Sequence, residues 1–340
     1  MYTIPPKKMV IINILDILKK YSDMDHRLTQ AQIIEILKKE YYMDVDRRTV
    51  KRNLMNLLDF DFGIDYTEII KKNEKGEEIP ICTDWYITRE FDDSEIRLLI
   101  DSVLFSKTIP QKQCKKLIDK LKGLSNIYFE KKVNHICSLP EIRPENKELF
   151  YTIDVLDEAI SKGKKVSFIY NSYGTDKKLH PKREREYVIN PYQMVATNGR
   201  YYLICNYDKY DTLSNYRIDR ITGIKMMNEK RKSIKELKEG EINLPKHMAE
   251  HLYMFAGESI RVKFKAKNYI IDQIIDWFGF GPKITKQDED TCMVEVEVNE
   301  EAFFHWAMRY GLHIEVLEPT SMRERIMSAI KELNDKYVTH

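Results

Sequence analysis

The stretch from Val188 to Ile221, VINPYQMVATNGRYYLICNYDKYDTLSNYRIDRI, limits the fold of this chain more than any other segment. Asn198-Gly199 is a strong hairpin signal, because both residues accept a positive φ and apolar residues flank the pair on each side. The strands it joins are predicted over about Tyr192 to Ala196 and Tyr201 to Asn206. Beyond them, Tyr216, Ile218 and Ile221 alternate, or nearly alternate, with Arg217 and Arg220. A strand there sends its apolar side chains inward and at least Arg217 the other way. Ordering an arginine costs rotamer freedom, so two of them in one short segment call for a partner. The pattern is that of a small barrel that binds an anion.

Three runs of this segment, Gly199-Arg200-Tyr201-Tyr202-Leu203, Asn190-Pro191-Tyr192 and Tyr216-Arg217-Ile218-Asp219-Arg220-Ile221, resemble the WYL domain of bacterial transcriptional regulators, with Tyr201 in place of the eponymous tryptophan. In that family the domain is a small Sm-like or SH3-like β-barrel that senses a ligand, in some members a nucleic acid or nucleotide. The resemblance therefore implies sensing rather than catalysis.

At 340 residues the chain is long for a single core, and two or three domains account for it. A charged fraction of 32% beside 43% hydrophobic residues is a folded balance. The net charge is only +2, so a nucleic-acid surface must come from local clustering. Cys82, Cys114, Cys137, Cys205 and Cys292 are odd in number and scattered, which predicts reduced thiols rather than disulfides or zinc. MYTIPPKKMV lacks an apolar signal core and no apolar run approaches membrane-spanning length. A cytoplasmic chain without membrane partners is the expectation.

The first ninety residues carry a second argument. Met9, Ile12, Leu15 and Leu18 recur at helical spacing, predicting a helix over about Lys8 to Tyr21. A second helix is capped at Thr29, with Gln32 completing a capping box, and runs through Ile33, Ile34 and Leu37. A third starts at the cap Asp46, with Val50, Leu54, Leu57 and Leu58 as its inward stripe. Its first turns and other face hold Arg47, Arg48, Thr49, Lys51, Arg52 and Asn53. Cations at a helix N-terminus oppose the macrodipole, at about 0.3 to 1 kcal/mol each where exposed. Phosphates reverse that penalty, and arginines there can also reach guanine edges in a major groove. Tyr66 to Ile70 and Ile79 to Ile87 then read as a hairpin wing. Helix, helix, basic helix and wing resemble the winged helix-turn-helix that commonly precedes a WYL domain, with Arg48-Thr49-Val50-Lys51-Arg52 at the recognition-helix motif. The family usually has Arg-Asp where this chain has Arg52-Asn53.

Between these modules Asp92 or Asp93 caps a helix through Ile96, Leu98, Leu99 and Val103, and Pro110 opens another through Leu117, Ile118 and Leu121. Segment 124–149 is less regular. At the C-terminal end Ser259 to Ala266 alternates, with Ile260, Val262 and Phe264 opposite Arg261, Lys263 and Lys265. A helix through Ile270, Ile274 and Trp277, a strand over Met293 to Val298, a helix over Glu300 to Tyr310, a strand over His313 to Leu317 and a helix over Met322 to Tyr337 complete an α+β module. This order, with Tyr310-Gly311 and Val316-Leu317-Glu318-Pro319, resembles the C-terminal extension (WCX) of WYL regulators, which the family uses in dimer contacts.

Each candidate has a plainer reading. The basic third helix is alternatively a solvated face. Arg217 and Arg220 are alternatively ion pairs with Asp219, Asp208 or Glu186 that close the barrel. Tyr170 either faces the ligand or packs. His180, Lys182, Arg183 and Arg185 read as a surface run that in a minority reading guards the pocket. Tyr201 and Tyr202 point to opposite faces, so at most one reaches a ligand, and core packing suits both. Walker, GxSxG, HExxH and dinucleotide fingerprints are absent, and His135 near Cys137 and His305 near Trp306 are lone histidines. No enzyme and no cofactor is expected.

The expected fold is a multidomain α+β chain. It has a winged helix-turn-helix over 1–90, a helical connector over 91–149, an Sm/SH3-like WYL barrel over 150–235 and a ferredoxin-like WCX module over 236–340. The expected function is a homodimeric, ligand-responsive regulator. Arg47, Arg48, Thr49, Lys51, Arg52 and Asn53 contact duplex operator DNA, while Tyr170, His180, Arg185, Tyr202, Arg217 and Arg220 hold an anionic effector, a nucleotide or single-stranded nucleic acid. The rival is an accessory protein whose barrel binds single-stranded RNA or DNA.

Overall fold

The computed structural model describes residues 7–72, 76–133, 146–238, 240–242, 244, 247–248, 254–255, 257 and 259–338. His135 and Cys137 lie outside the described residues. The chain is a mixed α+β protein that divides into two compact units, Met1–Arg143 and Pro144–His340.

The first unit opens with α1 (Val10–Tyr21), α2 (Gln30–Glu40) and α3 (Arg47–Asp59), followed by the antiparallel pair β1 (Ile64–Lys72) and β2 (Glu78–Ile87). The caps fall where the sequence puts them. Thr29 and Gln32 close a reciprocal capping box on α2, and the Asp46 carboxylate accepts the N–H groups of Arg48 and Thr49, each at 2.9 Å. Helix α1 buries only part of the expected stripe, Leu18 fully and Leu15 in part. Val10, Ile14, Ile17 and Leu18 face the core while Met9 and Ile12 are exposed. A helix apolar on most of its circumference offers two stripes, and packing against α3 selects one. Trp85 on β2 is fully buried among these side chains, and a short backbone bridge joins it to Leu28 ahead of α2.

Three more helices complete the unit: α4 (Asp93–Phe105), α5 (Gln111–Lys122) and α6 (Ile127–Val133). Asp92 caps α4 in a box with Glu95, and Pro110 is the N-cap of α5. Ile96, Ile100, Cys114 and Ile118 form the α4–α5 core, so the expected Leu98 and Leu99 are exposed instead.

The second unit begins with α7 (Leu149–Lys162), which the sequence does not announce, and ends it on Gly163 in the left-handed conformation. A six-stranded antiparallel sheet follows, made of β3 (Lys164–Tyr173), β4 (Leu179–Pro181), β5 (Tyr187–Thr197), β6 (Arg200–Asn206), β7 (Leu213–Arg217) and β8 (Ile221–Lys230). The strand order is β4-β3-β5-β6-β7, with β8 on β3. Asn198 and Gly199 turn β5 into β6 with φ of 51° and 71°, the geometry a type I′ turn needs. The ladder slips by one residue at Tyr192, next to Pro191, which has no N–H to give. The expected single strand through Tyr216 to Ile221 is broken. Strand β7 stops at Arg217, Ile218–Arg220 make a 3-10 turn, and β8 starts at Ile221.

The last module is a four-stranded antiparallel sheet in the order β10-β11-β9-β12. Its strands are β9 (Ser259–Lys267), β10 (Lys283–Lys286), β11 (Thr291–Asn299) and β12 (Ile314–Glu318), with α8 (Ile271–Phe278), α9 (Glu300–Tyr310) and α10 (Thr320–Val338). Val262, Phe264, Val294 and Val296 pack on Ile274, Phe303 and Trp306, while Arg261, Lys263 and Lys265 take the other face, as their alternation requires.

Candidate functional site

Two groups of side chains stand apart from the packing. The first lies on α3. Arg48, Lys51 and Arg52 are exposed, and their side chains have no ion-pair or hydrogen-bond partner among the described residues. Four cations, Arg47, Arg48, Lys51 and Arg52, lie within the first two turns of a helix whose cap is a carboxylate, and none has an ion-pair partner among the described residues. Arg47 is partly engaged, since its Nε donates to the buried Gln30 Oε1 at 3.1 Å. Thr49 bonds the Asp46 carboxylate with both its N–H and its hydroxyl. That hydroxyl bond, with the backbone N–H groups behind it, holds the Asp46 carboxyl below its usual range. Asn53 turns inward, its Nδ2 donating to Thr49 O at 2.8 Å. Asn56, which the sequence reading passes over, is exposed one turn beyond Arg52. Arg48, Arg52 and Asn56 follow the i, i+4, i+8 repeat and so form one stripe about 12 Å long. The signal for Asn56 was that spacing, masked by the cluster of charge ahead of it.

The second group gathers on the sheet of the second unit. Arg217 ends β7 and donates from Nε and Nη2 to the two oxygens of Asp219, at 3.0 and 2.5 Å. The Asp219 side chain is fully buried and that of Arg217 is 15% exposed. Burial pulls the guanidinium down, yet the Asp219 bonds outweigh it and raise Arg217 above its ordinary value. This is the plainer reading of Arg217, an ion pair inside the sheet. Arg220 differs. Its Nε is buried and finds no hydrogen-bond partner among the described residues, and its guanidinium carbon sits 6.0 Å from the Tyr173 ring centroid.

Tyr170 is buried, accepts the Arg217 N–H at 3.2 Å, and packs edge-on against Tyr216 and Tyr187. Burial pushes its hydroxyl up, while the Arg217 N–H and the charges of Arg220 and Arg217 pull it back. Tyr202 pairs with Arg217 across β6 and β7. Burial raises it too, against the charges of Arg217, Arg200 and Arg220. Tyr170, Tyr202, Arg217 and Arg220 are thus brought together, with Arg200 as a member the sequence reading did not name. His180 stands apart on the β3–β4 hairpin, paired with the Asp176 carboxylate at 2.9 Å. Arg185 is exposed, and its backbone carbonyl accepts from Arg183, whose guanidinium lies 3.4 Å from the Tyr187 ring centroid. Arranged this way, the site offers one compensated arginine, one arginine with an unmet donor, and two tyrosine hydroxyls, groups whose chemistry suits hydrogen bonding to an oxygen-rich anion.

An antiparallel module with two arginines and two tyrosines gathered at one place is followed by a second α+β module. The sequence matches the family model of the WYL domain over residues 151–226 and that of the WCX domain over residues 256–333. The chain thus carries a WYL domain followed by a WCX domain. Among solved structures it is similar to the proteasome accessory factor B/C (PafBC) of Arthrobacter aurescens, with 11% identity, a TM-score of 0.30 and coverage of 97% of this chain and 51% of that one. It is also similar to a CRISPR Cas-related protein, with 15% identity, a TM-score of 0.41 and coverage of 98% and 84%. The chain spans about half the length of PafBC, and neither likeness is close enough to carry an argument. No curated protein matches the sequence. No described helix is long and apolar enough to cross a membrane.

Proposed function

We propose that this chain is a ligand-responsive, sequence-specific DNA-binding transcriptional regulator that works as a homodimer. The observation that carries the reading is α3. Arg48, Lys51 and Arg52 project unpaired from a capped helix that follows two shorter helices and precedes an antiparallel pair. That arrangement reads as a winged helix-turn-helix whose third helix enters a major groove, with arginines for guanine edges and phosphates. The WYL sheet, read as an Sm/SH3-like barrel, takes the anionic effector at Arg220, Tyr170 and Tyr202. The WCX module, read as ferredoxin-like, supplies dimer contacts. On α10 the side chains of Met327, Ile330, Leu333 and Tyr337 are exposed along one helical stripe, a surface of the kind a second copy covers. No catalytic role is assigned to any residue.

The rival reading, an accessory protein binding single-stranded RNA or DNA through the WYL sheet, draws on the same tyrosines beside arginines. One experiment separates the two. The purified protein is titrated with a duplex of its own promoter region and with a scrambled duplex at two salt concentrations, with and without a short single-stranded oligonucleotide. Preference for the promoter that survives at the higher salt supports the regulator, because counterion release weakens while base contacts persist. Equal binding to both duplexes that collapses with salt, beside firm single-strand binding, supports the accessory protein.

A further inference from the structure

The 3-10 turn at Ile218–Arg220 is held by its backbone, and the grip comes from an unexpected direction. Three consecutive carbonyl groups each accept from a buried asparagine amide. Asn146 Nδ2 donates to Asp219 O at 3.1 Å and to Ile221 O at 2.8 Å, and Asn171 Nδ2 donates to Arg220 O at 2.9 Å. Asn146 and Asn171 are each 5% exposed. The Asn146 Oδ1 in turn accepts the N–H of Glu148 at 2.9 Å, and Glu148 Oε2 accepts the N–H of Gly223 at 2.8 Å. The start of α7 and the segment 219–223 are therefore stitched together by three hydrogen bonds, with Asn171 adding a fourth to the turn from β3. A buried amide committed to this many partners has no alternative ones, so moving either side costs the full desolvation of the groups left behind.

The two ends of this stitch matter. One end is the turn that carries Asp219 and Arg220, the residues whose state an anion at the site must change. The other end, Asn146, lies three residues past the boundary between the two units at Arg143 and Pro144, on the stretch of chain that leads back to α3. We infer that Asn146 is a latch that couples occupancy of the arginine site to the chain entering the WYL domain, and through it to the affinity of the basic helix for duplex DNA. The inference rests on the proposed function. Asn146 touches neither DNA nor effector and acts as a positioning residue. An anion that draws Arg220 outward pulls on the carbonyls at 219 and 221, and the amide of Asn146 must follow or let go. Linkage requires the operator to act back on the effector by the same factor.

The test measures three constants for the full chain and for Asn146→Ala: affinity for the duplex enriched by the wild type from a random library, affinity for a short single-stranded oligothymidylate as anionic probe, and the factor by which one changes the other. The wild type should show a coupling factor of about 5 or more. In Asn146→Ala both separate affinities should stay within about 3-fold of the wild type while the factor falls to about 1. Glu148→Gln, which keeps an acceptor for Gly223 N–H, should retain it. Coupling unchanged in Asn146→Ala overturns the latch and leaves the proposed function standing. Loss of probe binding itself in Asn146→Ala also overturns the latch, because the residue then only builds the site. A wild type that binds no duplex, or binds both without coupling, overturns the proposed regulator and the latch with it. Should Asn146→Ala fail to fold, hydrogen exchange on the wild type decides. Probe binding must change protection at the Gly223 and Glu148 amides together, and an unchanged pair overturns the latch.

Discussion

Replacing Asp219 with asparagine tests whether the arginine pair in the WYL sheet is split between a structural and a binding role. The substitution preserves shape, so it opens no cavity and its cost is electrostatic. The wild-type carboxylate takes two bonds from Arg217 in a bidentate arrangement with its own side chain fully buried. Asparagine keeps one acceptor oxygen and removes the charge, leaving a guanidinium without a counter-ion. Stranding one member of a buried pair costs about 3–5 kcal/mol, and because the Arg217 side chain keeps some contact with water, the low end of about 3 kcal/mol applies. For a unit of this size, about 2–4 °C of melting temperature goes with each kcal/mol. Asp219→Asn should therefore lower the transition of the second unit by about 6–12 °C in calorimetry.

Two companions give that number its meaning. Removing both charges with Arg217→Met and Asp219→Leu should recover most of the loss, because an apolar pair of similar volume often matches a buried ion pair. Arg220→Ala should move the transition by about 2 °C or less, since its Nε satisfies nothing, and should abolish binding of an anionic probe. A fall of less than about 2 °C in Asp219→Asn refutes the reasoning. The carboxylate would then not hold Arg217 in solution, and both arginines would count as ligand groups.

Further outcomes follow from the other elements. Arg48→Ala and Arg52→Ala should each weaken duplex binding and flatten the slope of log affinity against log salt by about one unit, whereas Asn56→Ala should keep the slope and relax preference at one base pair by about 1–3 kcal/mol; anisotropy titrations across salt read both. Thr29→Ala removes one half of the α2 capping box and should cost about 1 kcal/mol, seen as a lower urea midpoint at unchanged m-value. Gly199→Ala places a Cβ at φ of 71° and should cost about 1–2 kcal/mol in the same assay. At Asp23, burial pushes the carboxyl up, but bonds from His26 and Asn126 outweigh it and hold it below its usual range. A depressed folded value stabilises above the unfolded one, near about 4, and the contribution is lost as pH falls through the folded value. The margin of wild type over Asp23→Asn should therefore shrink below about pH 4; a margin flat between neutral and acid pH would contradict the role of Asp23.

Where the sequence carried a start signal, the fold was legible. Thr29, Asp46 and Asp92 open helices because each side chain meets the free N–H groups of a first turn. Helix α7 went unread for the converse reason. Its N-cap, Glu148, makes no side-chain cap bond, and the residue that steadies its start, Asn146, spends its donor on a turn more than seventy positions away. In α1 and α4 the helix itself was legible but its buried face was not, because both are apolar over more than one stripe and only the neighbour decides. Strands with strict alternation, such as β9, carried their faces with them.

The arginine site shows the limit more sharply, because there the sequence named Tyr170, Tyr202, Arg217 and Arg220, which the fold brings together, but could not separate their roles. Asp219, Asp208 and Glu186 were all plausible partners for Arg217 and Arg220. In the folded chain Asp208 is taken by Lys165 at 2.8 Å and by Asn190 at 2.7 Å, and Glu186 lies 3.5 Å from Lys225. Of these three acids only Asp219 remains for two arginines, and it pairs bidentately with Arg217 across the break into the 3-10 turn. Three acids against two arginines looked like more than enough on paper, whereas competition from the lysines leaves one guanidinium over. That remainder, Arg220, is held on a turn whose carbonyls are gripped by Asn146 and Asn171. If the latch inferred above operates, an anion that satisfies Arg220 works against that grip, and the same shortage of partners that leaves Arg220 over also ties filling of the site to the rest of the chain.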